Sequence, residues 1–492
     1  MEQEHSAAAV PVPGQGAVRL GARVAVWVYL VTALALIGGL GLIGGVLRAT
    51  QAGYLAISPS LFYALLTLHG AGMLVATLIL VLGAHWWFLH ERLELQVTTL
   101  LVAFGFFLVG VLFVAVAVLI GHFAAAWTTL YPLPFVGTFW PSWATGTYLL
   151  GYFLVSLGFA LYCFDLLAAI IRVYGNLWRG LALDTVFSRL RRPDGVVAPP
   201  TVLAATMVAL DGGLASVAGM VLSIALLARW AVPAFPIDPL WAKNLTYFFG
   251  HTIANLTIYA AAGVVYALLP HYAHRPWKSS SVLSVAWVGS LVLVLLAFPH
   301  HLYQDFVQPP ALQVLGEFAS YLASVPPAVV TIFGGLLLIY RSGIRWNLGA
   351  AALFTGLLGW AIGGSAALLD ATIPFNFVLH NTLWVPAHFH TYLLGGVVLF
   401  GLGFVSYFAG EEERFGRLAG WGFGLLIAGT AGFVAMFYAS GLEGVPRRYA
   451  LEPAPGPVLA GLASWAVLIA VLGSLLILFD IVRRATKARF VP

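Results

Sequence analysis

The sequence predicts an all-α fold, a membrane bundle of about twelve transmembrane helices, on three observations. Of 492 residues, 61% are hydrophobic and only 8% charged, and the mean hydropathy of +0.96 exceeds what a soluble domain needs. The apolar residues fall into runs of about 20 or more, the length that crosses a bilayer. The charges gather between the runs.

Taken in order, the spans are set by their flanks. Span 1, 24–46, lies between Arg23 and Arg48; span 2, 61–88, carries His69 and stops before Arg92; span 3, 98–121, has no charge. Span 4, 144–171, stops at Arg172, and a basic connector reaches to Pro200. Span 5, 202–228, ends at Arg229, span 6, 245–269, follows Lys243, and span 7, 281–301, closes on His300 and His301. Span 8, 312–340, precedes Arg341; span 9, 347–369, lies between Arg345 and Asp370. Spans 10 to 12, at 382–408, 418–440 and 457–481, complete the bundle. The organisation expected is a polar terminus at 1–22, one membrane domain at 23–482 and a basic tail at 483–492. The run after Arg23 reads as a first span rather than a cleaved signal.

An even number of spans leaves both termini on one side. If that side is the cytoplasm, only Arg48, Arg229, Lys243, Arg447 and Arg448 of the 23 basic residues are outside, which satisfies the positive-inside rule. The expected location is therefore a bacterial or archaeal cytoplasmic membrane with both termini inside. The pI of 9.3 then reflects topology, not a nucleic-acid partner. Cys163 alone allows no disulfide and no all-cysteine metal site, and reads as a small buried hydrophobe.

Thirteen histidines carry the chemistry. His5, His85, His90, His122, His271 and His274 lie at the terminus, at span ends or in loops, and are expected at surfaces or interfaces. His69, His251, His300, His301, His388 and His390 all fall in the outer part of the membrane, with His380 in the loop just outside. Polar groups there are expensive and generally functional, and one shared depth points to one site.

His388 and His390 are two residues apart, roughly 200° of helical rotation, so one helix presents a ligand on each flank. Imidazole is an axial ligand of haem iron, and His69 offers a partner for one of two haems, leaving the other with an open face. His251, His300 and His301 form a set suited to copper. An open iron facing a three-histidine copper binds and reduces a small diatomic gas. A twelve-span transporter would account for none of these histidines.

The motif HNTLWVPAHFH at 380–390, GH at 250–251, HH at 300–301 and GVPRRY at 444–449 together resemble the catalytic subunit of the haem-copper oxidase and nitric oxide reductase superfamily, from span 2 to the loop after span 11. The resemblance implies that His69 and His390 ligate a low-spin haem, His388 a high-spin haem, and His251, His300 and His301 the copper. It places His380, Arg447 and Arg448 beside the haem propionates, where guanidiniums suit carboxylates. HHLYQDF and SVPPAVV look most like the B-family, and the acid-containing pattern of the A-family after the span 6 histidine is absent.

One departure bears on function. Four residues after that histidine, where A- and B-family oxidases carry a tyrosine bonded to it, stands Asn255; span 7, where the C-family keeps its tyrosine, has none. Without the electron and proton of that phenol, the two-electron reaction 2 NO + 2 e⁻ + 2 H⁺ → N2O + H2O is favoured over O2 reduction, the alternative. Better-known nitric oxide reductases carry glutamate here and use non-haem iron; a neutral amide favours copper. Glu317, early in span 8, is expected at the depth of the metals as a proton donor or tuning group. Tyr259, eight residues beyond His251 and about 12 Å deeper, is a displaced candidate phenol. Asp165, Asp211 and Asp370 have no assignment. With no CxxCH motif and no cysteine cluster, electrons must come from another polypeptide; the expected partner is a second subunit with a cupredoxin or cytochrome c donor.

Overall fold

The computed structural model describes residues 15–137, 139–410 and 414–487. Among these, twelve helices are long and apolar enough to cross a membrane. They are α1 Gln15–Gln51, α2 Pro59–Leu93, α3 Val97–Leu119, α4 Ser142–Tyr174, α5 Pro200–Ala231 and α6 Pro239–Ala273. The rest are α7 Ser281–Leu302, α8 Pro310–Ile339, α9 Leu348–Ala371, α10 Trp384–Phe408, α11 Arg417–Leu442 and α12 Gly456–Lys487. Each coincides with one expected span, and most run a turn or more beyond it; α1 takes in Gln15–Ala22 from the segment read as polar terminus.

Sequence neighbours pack side by side, and α2 against α6 and α1 against α12 tie distant parts of the chain together. Without a hydrophobic drive between helices in lipid, small residues set these contacts. A Cβ on Gly110 of α3 would stand 2.7 Å from the carbonyl oxygen of Gly151 in α4. The outward faces are apolar, with Val31, Leu112, Phe318 and Trp421 exposed, as a lipid-facing surface requires.

Pro and capping residues start several helices. Ser58 accepts from Leu61 N and Asp238 from Trp241 N, and each is followed by proline at the first helical position. The connector after α4 is more ordered than a plain link: it holds a short helix, Leu177–Gly180, and two 3-10 turns.

Two histidines depart from expectation. His85 is fully buried, its Nε2 3.0 Å from the carbonyl oxygen of Thr201, and it fills the space left by Gly263 of α6. His90 is also buried, with Trp86 and Trp87 on its ring at 4.8 and 4.9 Å. Helix α2 continues to Leu93, so what reads as a span end lies within the helix, with His85 packed against α5 and α6 and His90 under the indoles of its own helix. His122, His271 and His274 are exposed as expected, His5 lies outside the described residues, and Cys163 is buried and free.

Candidate metal centre

The α10 histidines sit in the α-helical stretch Trp384–Tyr392, directly followed by a π-helical turn, Leu393–Val398. Such turns relax the ladder and concentrate at functional sites. Close packing accompanies it: a Cβ on Gly359 of α9 would overlap the carbonyl of Gly395.

His69 and His390 face each other with ring planes 18° apart and centroids separated by 6.1 Å. That gap is about two metal–nitrogen bonds of roughly 2 Å plus the half-width of each ring. His69 Nδ1 meets the carbonyl oxygen of Leu40 at 2.9 Å, and His390 Nδ1 that of Pro386 at 2.7 Å. Each carbonyl fixes the tautomer with hydrogen on Nδ1, leaving Nε2 free to bind a metal. Gly44 of α1 makes room for the His69 ring, since a Cβ there would lie 2.7 Å from its Cε1.

The second cluster joins α6 to the end of α7. His251, His300 and His301 bring one nitrogen each to within 4.8 Å of one another. His300 and His301 lie on a 3-10 turn, Phe298–Leu302, which places their centroids 4.0 Å apart; His251 is 5.0 and 5.5 Å from them. Nδ1 of His251 is buried with no hydrogen-bond partner. Three neutral imidazoles with an orphaned ring nitrogen fit a transition-metal ion and suit copper.

His300 Nδ1 donates to Ser320 Oγ at 2.9 Å, and Ser320 donates on to the carbonyl of Gly316 at 2.5 Å. Neither residue stands out in the sequence; only the approach of α8 to the α7 terminus reveals them. Ser320→Ala removes the acceptor that orients His300 and is expected to weaken copper binding by about 10- to 100-fold, read by competition with a copper chelator.

Asn255, one turn below His251, donates from Nδ2 to the His251 carbonyl at 2.9 Å and sits 3.3 Å from Nε2. Tyr259 stays apart from the triad; its hydroxyl is 3.0 Å from Ser290 Oγ and its ring meets Trp287 edge-on. Glu317 reaches the expected depth, beside Gly316, but its carboxylate accepts from Tyr321 Oη at 3.2 Å and Ile373 N at 3.4 Å rather than meeting a histidine. A different tyrosine, one turn above His251, touches the triad: Tyr247 lies over His301 with centroids 5.6 Å apart and planes at 24°. The sequence reading looked below His251 and along span 7, and missed it.

His380 caps the short helix Ile373–Leu379, with Asn376 Nδ2 3.3 Å from its Nδ1. Burial and then the nearby Arg447 push its pKa down to about 3, so the ring is neutral. Arg447 donates its backbone N–H to Asn381 O at 3.0 Å, and burial lowers its guanidinium to about 10, still charged at neutral pH. Neither Arg447 nor Arg448 has an ion-pair partner among the described residues, which fits a bound anionic group. Arg48, by contrast, is paired with Glu452 at 2.8 Å.

A cavity of about 300 Å³ opens between α1 and α4 and reaches Gly250 and Ile253, the neighbours of His251. Leu40, Leu68, Val75 and Phe249 make its lining apolar, suited to an uncharged diatomic gas. Trp127 closes over Gly250, where any Cβ would meet the indole at 2.5 Å.

Residues 24–477 match the family described as cytochrome c and quinol oxidase polypeptide I. The chain belongs to this family. Among relatives, cytochrome c oxidase subunit 1 of Thermus thermophilus is 26% identical over 288 residues, 53% of this chain and 50% of that protein. Ubiquinol oxidase subunit 1 of Acetobacter aceti is 28% identical over 220 residues, 42% of this chain and 31% of that protein. The chain thus spans half or less of the curated relatives it matches. A solved haem-copper terminal oxidase dimer shares the fold, with a TM-score of 0.77 at 20% identity over 96% of this chain and 84% of that one. The chain's twelve long apolar helices fit an integral membrane protein of that family.

Proposed function

We propose that the chain is the catalytic subunit of a nitric oxide reductase, converting 2 NO, two electrons and two protons to N2O and water. His69 and His390 would hold a low-spin haem, His388 a high-spin haem, and His251, His300 and His301 a copper ion. When bound, these groups supply the metals that bind and reduce the gas and the iron that passes electrons on. The protein's part is to hold six imidazoles in the right tautomer, to keep water away with an apolar cavity, and to balance propionate charge with Arg447 and Arg448, beside neutral His380.

The observation that carries NO over O2 is Asn255. Its amide contacts His251 where oxidases of the A- and B-families place a phenol. An amide offers hydrogen bonds but neither an electron nor a readily removed proton, so four-electron cleavage of O2 lacks its usual local source. Two-electron coupling of NO needs none. Glu317, linked to Tyr321, is the nearby acid suited to hold a proton, and Tyr259 a deeper polar group below Asn255.

O2 reduction is the second reading, and two findings favour it. The relatives are named as cytochrome c or ubiquinol oxidases, and Tyr247 puts a phenol against His301. Electrons would arrive from a second subunit with a cupredoxin or cytochrome c centre, in a bacterial or archaeal cytoplasmic membrane with both termini inside. The helices α1 and α12, which take in Gln15–Ala22 of the expected terminus and Arg483–Lys487 of the expected tail, would bound the single catalytic domain.

Asn255→Tyr discriminates between the two readings. A phenol there stands one turn from His251 on nearly the same face, and the ratio of O2 to NO turnover is expected to rise by about tenfold, roughly 1.4 kcal/mol of differential transition-state stabilisation. A ratio unchanged by the substitution, in a variant with full haem and copper content, would count against the role given to Asn255.

A further inference from the structure

Asp370, in the last turn of α9, has its side chain buried, 4% exposed, beside the imidazole of His388: Oδ2 and Nδ1 are 3.9 Å apart. Both groups lack a hydrogen bond, since His388 Nδ1 and Asp370 Oδ1 are buried without partners. The other two haem-facing histidines differ, because His69 and His390 already spend Nδ1 on backbone carbonyls. Among the described residues, only His388 of these three has a carboxylate in reach. The backbone that carries Asp370 is pinned from two sides. Asn376 donates to its carbonyl at 2.6 Å, and Tyr303 Oη donates to the carbonyl of Ala371 at 3.0 Å.

The geometry points to Asp370 as the positioning residue of His388, its carboxylate accepting the Nδ1–H of that imidazole in the haem-loaded protein. A contraction of about an ångström from the present separation makes the bond. Three consequences follow from chemistry alone. The ring is locked with Nε2 free for iron; a carboxylate acceptor makes Nε2 a stronger donor than a neutral carbonyl does; and stronger donation stabilises ferric over ferrous iron. The two haems then differ by design of their imidazoles, a carboxylate behind one and carbonyls behind the other two. The inference rests on His388 holding the high-spin haem, as proposed above, and is independent of whether the gas is NO or O2.

The test uses the holoprotein with Asp370→Asn and Asp370→Glu, reading the ferrous iron–histidine stretch by resonance Raman and the midpoint potentials of both haems. Asp370→Asn is expected to lower the stretching frequency and raise the high-spin potential, by about 59 mV for each tenfold loss of preference for ferric iron. The low-spin potential should stay in place and Asp370→Glu should remain close to wild type. An unchanged frequency in Asp370→Asn overturns the inference, including the case in which both potentials shift together as bare electrostatics. A glutamate variant that shifts as far as the asparagine variant also overturns it, because shape rather than the carboxylate is then at work. If Asp370→Asn loses haem, the wild-type spectrum decides: a frequency characteristic of an imidazole bonded to a neutral carbonyl contradicts the proposal, and a raised one supports it. Failure of the underlying ligand assignment looks different, since His388→Ala would then keep its iron–histidine band.

Discussion

Alanine at His251, His300 or His301 is expected to abolish gas turnover while the low-spin haem spectrum survives. The three nitrogens lie within 4.8 Å of one another and apart from the His69–His390 pair, so each substitution strikes the second metal alone. Two imidazoles cannot close the site as three do, and the loss should exceed the roughly 100-fold reached when only a supporting hydrogen bond is removed. Metal analysis gives the companion result: two irons and one copper per wild-type chain, and copper lost from each variant. Three irons and no copper in wild type would make the triad a non-haem iron site. Loss of the six-coordinate haem from His251→Ala would show that the ligands have been divided wrongly.

His69→Ala is expected to do the reverse. His69 belongs to the facing pair at 6.1 Å, and its ring sits on Gly44, so truncation opens one axial position and leaves a hole in the α1–α2 contact. The low-spin absorption should vanish and copper content should stay at one per chain. Turnover with a physiological donor should fall at least as far as in the triad variants, because electron entry is lost. If the copper left together with the low-spin signal, the two clusters would not be separable units.

The fold was legible because lipid imposes a simple demand: about 20 apolar residues per crossing, with charge outside. Every helix was found in the place that demand gives it. The six candidate ligand histidines could be singled out for a related reason, since an imidazole in hydrocarbon needs a purpose. His85 and His90 show the limit of that logic. They sit near an apparent span end, yet α2 runs on: Thr201 and Gly263 of other helices enclose His85, which only tertiary packing can reveal, while Trp86 and Trp87 of α2 itself stack on His90. Ser320, Tyr247 and Asp370 were hidden likewise: a serine, a tyrosine and an acid come beside His300, His301 and His388 only once separate helices are packed side by side. The π-helical turn after His390 had no sequence mark beyond two glycines, because it answers to the close passage of α9. Glu317 was placed at the right depth, but periodicity could not say that its carboxylate turns toward Tyr321.

The most direct measurement of the central claim is turnover of the purified, reduced wild-type protein with NO and, separately, with O2, following N2O and both gases. Asn255 beside His251 predicts efficient conversion of NO to N2O with one N2O for every two NO, and slow O2 consumption that releases partly reduced oxygen. Complete reduction of O2 to water at oxidase-like rates, with little N2O from NO, would contradict the nitric oxide reductase reading and leave Tyr247, against His301, as the phenol to test next.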